Sequence, residues 1–387
     1  MAALSGMEAI KPLTTHDVCE AVRAACEAGE PLEIVGRGSK LGLGRPVAAA
    51  RRLDLSGLSG VTLYEPNELV LSARAGSPLE DIEALLEENG QMLAIEPPDA
   101  RALFGAENKG AIGGAVASGL SGPRRVFSGA ARDFVLGVSG VSGRGEPFKS
   151  GGRVVKNVTG YDLSKLMTGS FGTLAALTDV TLKVSPKPEC VRTVSVVEPD
   201  VAAAADIMRA VTASPFAPTG VGYAPIARNG DYAVHVRLEG SEKSVSHRAA
   251  SVVDLLRRDA AVDEASEIWS RLAVAADFDD EDATLWKAAL APAAFPALIA
   301  RNPEARFLVD GAGATAWLAF DDPDAVPEAP DAAEEARFYV MRASEARRRR
   351  LPVFPDQPAP LARLSAAVKR AFDPRGVLNP GKMYAEI

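Results

Sequence analysis

Two stretches, Gly36-Arg37-Gly38-Ser39-Lys40-Leu41-Gly42-Leu43-Gly44 and, about seventy residues later, the run from Gly110 through Ala111, Ile112, Gly113, Gly114, Ala115, Val116, Ala117 and Ser118 to Gly119, are too rich in glycine for ordinary core segments. The first follows a short apolar strand over 31–35. Glycine tolerates positive φ and lets successive backbone N–H groups converge on an anion, so a strand running into such a loop suits a diphosphate. The nucleotide-binding G-x-G-x-x-G pattern fails, because Leu41 takes the third glycine position and no helix follows; a Rossmann domain is disfavoured. In the second run, small residues let a backbone and a short helix N-terminus approach a bound group closely. Two such loops suit one diphosphate gripped from two sides. The plainer alternatives are a surface loop for the first and tight packing of two elements for the second.

The surrounding pattern predicts a helix over 14–28 with Thr14 or Thr15 as N-cap and Gly29 ending it. Strands follow over 52–55, 61–64 and 69–75, then a helix over 78–89 with Pro78 at its first position. Beyond the second glycine run come a hairpin over 134–148, a short helix over 161–167 and a strand over 174–184. After Pro186 and Pro188 the texture changes to alanine-rich helices between strands such as 193–197, 232–238 and 315–320. That order predicts an α+β fold whose second part is a ferredoxin-like antiparallel sheet covered on one side. Residues 321–333, rich in Asp, Pro and Ala, read as a mobile loop, and 360–371 as a helix before a turn-rich end. No internal repeat or heptad pattern is visible. At 387 residues the chain exceeds one usual core, so a division into 1–188, 189–350 and 351–387 is expected, with a cleft between the first two.

Composition excludes several classes. The formal charge is −8 with the basic residues scattered, which argues against a nucleic-acid footprint; the run Arg347–Arg350 reads as a solvated surface, or as a docking patch for an acidic partner. No apolar stretch approaches a membrane span and the N-terminus lacks signal-peptide character, so a cytoplasmic location is expected, peripheral to a membrane only through partners. Cys19, Cys26 and Cys190 have no CxxC spacing and read as packing residues. No metal site and no iron–sulfur relay is expected from them.

The segments 66–76 and 79–98, the run Gly110–Gly119, Arg132-Asp133-Phe134-Val135-Leu136-Gly137, Lys156-Asn157-Val158-Thr159-Gly160-Tyr161-Asp162-Leu163 and Gly169-Ser170-Phe171-Gly172-Thr173-Leu174 closely resemble the FAD-binding domain of the vanillyl-alcohol-oxidase (PCMH-type) family. Within it, Ser121-Gly122-Pro123-Arg124-Arg125 and the ending from Phe372-Asp373-Pro374 to Asn379-Pro380-Gly381-Lys382-Met383 resemble the E subunits of bacterial glycolate oxidases. The resemblance is strong over 31–186 and 371–384 and weak between. It implies a two-lobed FAD-binding domain, a cap over the isoalloxazine, and a C-terminal segment returning to the FAD domain. Carried over residue by residue, Gly36, Arg37, Gly38, Ser39, Lys40, Leu41, Gly110, Gly113, Gly114, Ala115, Ala117 and Ser118 hold the diphosphate, and Gly172 to Leu177 pass the adenine. Ala175 and Ala176 stand where relatives have Gly-Val, and Phe171 replaces a common Glu. Covalent relatives tether the flavin through a His or Cys in these loops; neither occurs between Cys26 and Cys190, so the FAD is expected to be noncovalent.

Catalysis is less legible. Related dehydrogenases of D-2-hydroxy acids carry a histidine-rich segment near the C-terminus that this chain lacks. His16 and His247 read as solvated. Alternation along 232–238 places Val234, Val236 and Leu238 on one face and Ala233, His235 and Arg237 on the other, which faces either solvent or the flavin. His235, Arg237, Lys156 and Thr159 are therefore the catalytic candidates, with Arg124, Arg125 and Tyr161 as further polar groups able to meet a carboxylate or hydroxyl. The implied reaction is hydride transfer from glycolate, or a similar 2-hydroxy acid, to flavin. The implied partners are a homologous FAD subunit and an iron–sulfur subunit. A noncatalytic assembly or electron-relay subunit is the alternative, and an NADPH-dependent enolpyruvyl-sugar reductase lacks a matching constellation.

Overall fold

The computed structural model describes residues 7–152, 161–227, 230–264, 267–278, 280, 283–330 and 336–385. After β1 (Glu8–Ile10), α1 (Thr15–Ala28) begins at a reciprocal cap: the Asp17 N–H donates to the Thr14 hydroxyl at 3.2 Å, and the Thr14 N–H donates to the Asp17 carboxylate at 2.9 Å. Gly29, at φ +68°, stops it. With β2 (Leu32–Val35) and β3 (Arg51–Asp54) this gives a parallel sheet of order β1-β3-β2.

Then follow β4 (Val61–Glu65), β5 (Val70–Arg74), α2 (Leu79–Glu88), β6 (Gln91–Met92), α3 (Ala100–Phe104), α4 (Ile112–Ser118), α5 (Arg125–Ser128), α6 (Ala131–Phe134), β7 (Val135–Ser142), β8 (Pro147–Gly151), α7 (Leu163–Met167), β9 (Ala175–Lys183) and β10 (Ser185–Pro186). Five of these strands form an antiparallel sheet of order β4-β5-β9-β7-β8. Its inner face packs Leu71, Ala73 and Val180 against Ile82 and Leu86 of α2 and Ile112 and Val116 of α4. Pro78 caps α2 rather than opening its first turn, and forms a bridge with Ala111 that ties the helix start to the second glycine run.

The second half begins with β11 (Cys190–Val197), α8 (Val201–Thr212), β12 (Gly220–Pro225), β13 (Tyr232–Gly240), α9 (Glu242–Leu256) and β14 (Ala261–Glu264). After α10 (Ile268–Val274) come β15 (Leu285–Ala289), α11 (Phe295–Arg301), β16 (Arg306–Asp310), β17 (Thr315–Ala319) and β18 (Arg337–Arg342). All eight strands make one antiparallel sheet, β14-β11-β13-β12-β16-β17-β15-β18. Outward from its centre, each half runs second, third, first, fourth strand of its own set. Two ferredoxin-like units thus join edge to edge through Tyr223 and Val309, a repeat of topology that the sequence does not display.

The sheet is covered on both faces, not one. Val194, Val234, Val236 and Leu238 pack under α8 and α9, while Trp269 and Leu272 of α10 cover part of the other face. Gly220 and Gly222 permit that second layer, since a Cβ there would meet Trp269 and Leu272 at 2.7 and 2.8 Å. The loop read as mobile is pinned in its described part: the Thr284 hydroxyl donates to the Pro323 carbonyl at 3.0 Å, and the Asn302 amide exchanges hydrogen bonds with the Glu328 backbone at 2.8 and 2.9 Å.

α12 (Glu345–Arg350) and α13 (Ala359–Phe372) lead back to the first half. At the end of α13, buried Lys369 donates to the Asp373 carboxylate (2.7 Å) and to the carbonyls of Thr173 (2.7 Å) and Leu378 (2.8 Å). Asp373 in turn accepts from the Val377 and Leu378 N–H groups. The turn so fixed lays 377–379 along β2, with Leu32 donating to the Val377 carbonyl at 2.7 Å and Asn379 to the Leu32 carbonyl at 3.0 Å.

Candidate functional site

The two glycine runs face each other. A Cβ at Gly36 would lie 3.2 Å from the Ala111 Cβ, and one at Gly110, where φ is +108°, would lie 2.4 Å from the Ser39 hydroxyl and 2.9 Å from the Lys40 ammonium. Gly113 turns inward, where a Cβ would meet the Ala75 backbone oxygen at 2.7 Å and its Cβ at 2.6 Å. Gly114 turns the other way, with nothing within 4 Å of the Cβ position. The run therefore serves both tight packing and an open cleft, on adjacent residues.

Gly36, Arg37, Gly38, Ser39, Lys40, Leu41, Gly114, Ala117 and Ser118 line that cleft. Gly110, Gly113, Ala115, Gly172 and Leu177 do not. Gly110 and Gly113 support it from behind, Ala115 and Leu177 are in the core, and Gly172 backs onto Ile34 and Asn379. Phe171, at φ +55°, forms the wall instead. Asn379 is also in the wall: its amide accepts from the Ile34 N–H and donates to the Phe171 carbonyl, both at 2.7 Å, joining three separate chain segments.

Two lysines supply charge. Lys40 Nζ is buried without a hydrogen-bond partner among the described residues, and burial pushes its pKa down to about 8 against a partial opposing pull from Asp99. Lys382, in the same wall, is also lowered to about 8 by burial; Glu33 raises it and Arg348 lowers it further. A buried ammonium without a partner is destabilising, and an arriving anion relieves it. Glycine walls, converging backbone and two buried lysines, one of them unpartnered, fit a diphosphate. The run Arg347–Arg350 is not simply solvated: Arg348 is buried and its guanidinium donates to the carbonyls of Leu41 (3.2 Å) and Gly44 (2.8 Å), fixing the first glycine loop.

The cleft opens, through the shared residues Leu43, Ser118 and Phe171, into a second cavity of about 970 Å³ between the two halves. Arg125, Arg132, Lys287, Thr315 and Tyr339 are among its lining residues. Lys287, on β15, places its ammonium 4.6 Å from the centroid of the Trp317 ring. Burial lowers its pKa to about 8, the nearby charge of Arg125 lowers it further, and Asp310 opposes. Asp310, itself buried, is pushed up to about 6.

The proposed catalytic face of β13 is elsewhere. His235 is 2% exposed, with Nδ1 2.9 Å from the Ser195 hydroxyl and Nε2 3.1 Å from the Ala224 carbonyl. Because a carbonyl only accepts, Nε2 carries the proton and Nδ1 accepts from Ser195. Burial lowers the His235 pKa to about 4, so it is neutral at physiological pH. Arg237 donates to Glu96 (2.8 Å) and the Thr219 carbonyl (3.0 Å), and its guanidinium lies over Trp269 at 4.7 Å. Neither residue lines the cleft or the cavity, because α10 and the Glu96 loop cover the face on which solvent or flavin was expected. Arg124 is likewise committed, bridging Glu96 and Glu239. Tyr161 is 92% exposed, and Lys156 and Thr159 lie outside the described residues. The sequence signal missed was the pair Asn379 and Lys382 in the ending motif, and nothing in the pattern around Lys287 marked it.

All histidines and cysteines of the chain are described, and none lines the cleft. Among the described residues no cluster of three His, Cys, Asp or Glu could hold a metal, and no helix is long and apolar enough to cross a membrane.

Residues 9–151 match the family model described as an FAD binding domain. The chain is 38% identical over 373 residues to glycolate oxidase subunit GlcE of Escherichia coli (strain K12), covering 95% of this chain and 97% of that protein. It is 27% identical to glycolate oxidase subunit GlcD of Bacillus subtilis (strain 168) over 54% of this chain and 43% of that one. Among solved structures, p-cresol methylhydroxylase with substrate bound superposes with a TM-score of 0.71 at 15% identity, over 98% of this chain and 88% of that chain.

Proposed function

The chain belongs to the family of glycolate oxidase subunit GlcE, a family of FAD-dependent oxidoreductase subunits, and on that premise we propose that it carries FAD in a multi-subunit enzyme oxidising glycolate or a similar 2-hydroxy acid to the 2-oxo acid. The single observation that supports this reading most is the glycine-walled cleft holding two buried lysines and opening into the cavity between the halves. Gly36–Leu41, Gly114, Ala117 and Ser118 present backbone to the diphosphate, Lys40 and Lys382 balance its charge, and Asn379 holds the walls in register. Bound FAD supplies the acceptor for the electron pair leaving the substrate carbon. The cap sheet forms one side of the cavity.

With no His or Cys in the walls, the FAD is noncovalent in this reading. Acid precipitation is expected to leave a colourless pellet and a yellow supernatant; flavin remaining on the polypeptide would end it. The three cysteines sit on α1 and β11 and form no relay, so electrons leave through partners, a homologous flavin subunit and an iron–sulfur subunit. The enzyme is cytoplasmic, reaching a membrane only through those partners. A second reading, an assembly or relay subunit, draws on the lack of a histidine or acidic cluster beside the cavity among the described residues. Steady-state glycolate oxidation with an artificial acceptor tests the need for partners, and anaerobic mixing of the FAD-loaded chain with glycolate distinguishes the two. The lone chain is expected to be a poor catalyst and the reconstituted set an active one, and under the relay reading the chain's own flavin is not reduced by glycolate in anaerobic mixing.

A further inference from the structure

Arg125 and Lys287 reach one cavity from opposite halves of the molecule, the first from α5 and the second from β15. They are close enough that the charge of Arg125 disfavours protonation of Lys287. Neither has a carboxylate within ion-pair distance among the described residues. Their neighbours behave differently: Arg124 is locked to Glu96 and Glu239, and Arg237 to Glu96. Asp310 feels the charge of Lys287 but lines neither the cleft nor the cavity and forms no ion pair with it. Two like charges facing one cavity with no ion-paired carboxylate between them repel each other, and an anion between them removes that repulsion.

We propose that Lys287 and Arg125 together form the binding site for a small carboxylate in the cavity between the FAD-binding half and the cap. Lys287 is held over Trp317, which fixes its stem and leaves the ammonium as a point charge, whereas Arg125 offers a planar fork suited to a carboxylate. The Thr315 and Tyr339 residues in the same lining bring hydroxyls for a second polar group on the ligand, as a 2-hydroxy acid carries. Because the two cations come from different halves, carboxylate binding also draws the cap and the FAD-binding half together. Arg132, in the same lining, lies 4.0 Å from Asp133 and is two-thirds exposed, so it is a weaker candidate.

The proposal rests on the functional reading only for its choice of ligand. The test is titration of FAD-loaded protein with oxalate, an unreactive dicarboxylate, followed by perturbation of the flavin absorption band and by calorimetry. Saturable binding is expected, with ethylene glycol, the neutral counterpart, not competing. Lys287→Gln and Arg125→Gln should each weaken oxalate at least about tenfold with FAD content unchanged, and Lys287→Arg should recover most of the loss. Arg125 is exposed, so its variant remains informative if Lys287→Gln does not fold. Absence of saturable oxalate binding, or wild-type affinity in a folded, FAD-loaded Lys287→Gln or Arg125→Gln protein, overturns the site. A reconstituted complex that turns over glycolate while both variants keep wild-type oxalate affinity sinks this site and leaves the functional reading standing. Oxalate binding that depends on both residues, with no turnover in any assembly, does the reverse.

Discussion

The cleft and the cavity adjoin each other, yet they are built on opposite principles. The cleft is made largely of backbone: two glycine runs, a short helix and an amide clamp hold one shape, and side-chain charge enters through Lys40, Lys382 and Arg37, with Glu33 paired to Arg52. The cavity is made of side chains that strands β15, β17 and β18 and helix α5 bring together from distant positions. A backbone site demands particular residues at fixed spacing, because only glycine fits where a Cβ would strike a neighbour. A side-chain site demands only that some suitable group reach the same space. The first kind leaves a trace in sequence and the second does not.

The largest expected effect breaks the cleft from inside. Gly114→Asp has room for its side chain, so the protein should fold, yet the carboxylate enters the space between the lysines and FAD binding should be lost entirely. Gly113→Ala, one residue away, should do the opposite. Its methyl overlaps Ala75, so stability falls by about 1–3 kcal/mol, while the folded fraction still takes FAD. Flavin stoichiometry measured beside urea denaturation separates the two, and stoichiometric FAD in folded Gly114→Asp would show that this is not the cradle.

Next in size is the C-terminal clasp. Asp373→Ala leaves the Lys369 ammonium buried with only carbonyl partners, and losing one member of such a pair costs about 3–5 kcal/mol. It also frees the turn that lays Asn379 and Lys382 against β2, so FAD affinity should fall in the part of the population that remains folded. An unchanged denaturation midpoint would mean that the clasp does not carry the C-terminal segment.

The same contrast explains what sequence reading could reach. The helix over 15–28 was legible because each of its ends is set locally, by Thr14 at the start and by Gly29 at the finish. The cleft was legible because Gly38 and Gly110 hold positive φ and Gly36 abuts Ala111, so each asks for glycine at its own position. Alternation along β13 correctly grouped Val234 with Val236 and Leu238, but it could not tell what lay over the other face, since α10 arrives thirty residues later and docks on Gly220 and Gly222. For the same reason Arg348 read as one of four solvated arginines, although its partners, the carbonyls of Leu41 and Gly44, lie at the other end of the chain. Lys287 carries no local mark at all.

A smaller effect sharpens the charge side of the cleft. Lys40 and Lys382 have pKa values near 8 in the free protein, and the diphosphate favours their protonated forms, so FAD affinity should fall as pH rises above 8. Lys40→Met and Lys382→Met should each weaken FAD by about ten- to a hundredfold at pH 7, the range of one charge-assisted contact at about 1.4–3 kcal/mol. The double variant should bind FAD with little change between pH 7 and 9.5. A wild-type pH profile in the double variant would place the relevant cations elsewhere.

The smallest effect on chemistry is expected at His235, which belongs to neither site. Its ring is neutral and engaged at both nitrogens, so His235→Gln should leave the rate of flavin reduction by substrate close to wild type. Its signature is in stability instead. The folded pKa, about 4, lies below the ordinary value of 6.5, so between these limits the unfolded chain binds the proton that the folded chain refuses. This contribution is fully present above pH 6.5 and is lost as pH falls toward 4, with a slope of at most about 1.4 kcal/mol per pH unit. Carboxylates titrate in the same window, which is why the difference between wild type and His235→Gln matters and not the wild-type slope alone. Urea denaturation of both proteins at pH 7, 6 and 5 should show the variant losing stability less steeply. Parallel curves would remove the buried neutral histidine, and a variant that folds fully but no longer reduces its flavin would bring His235 back as a catalytic candidate.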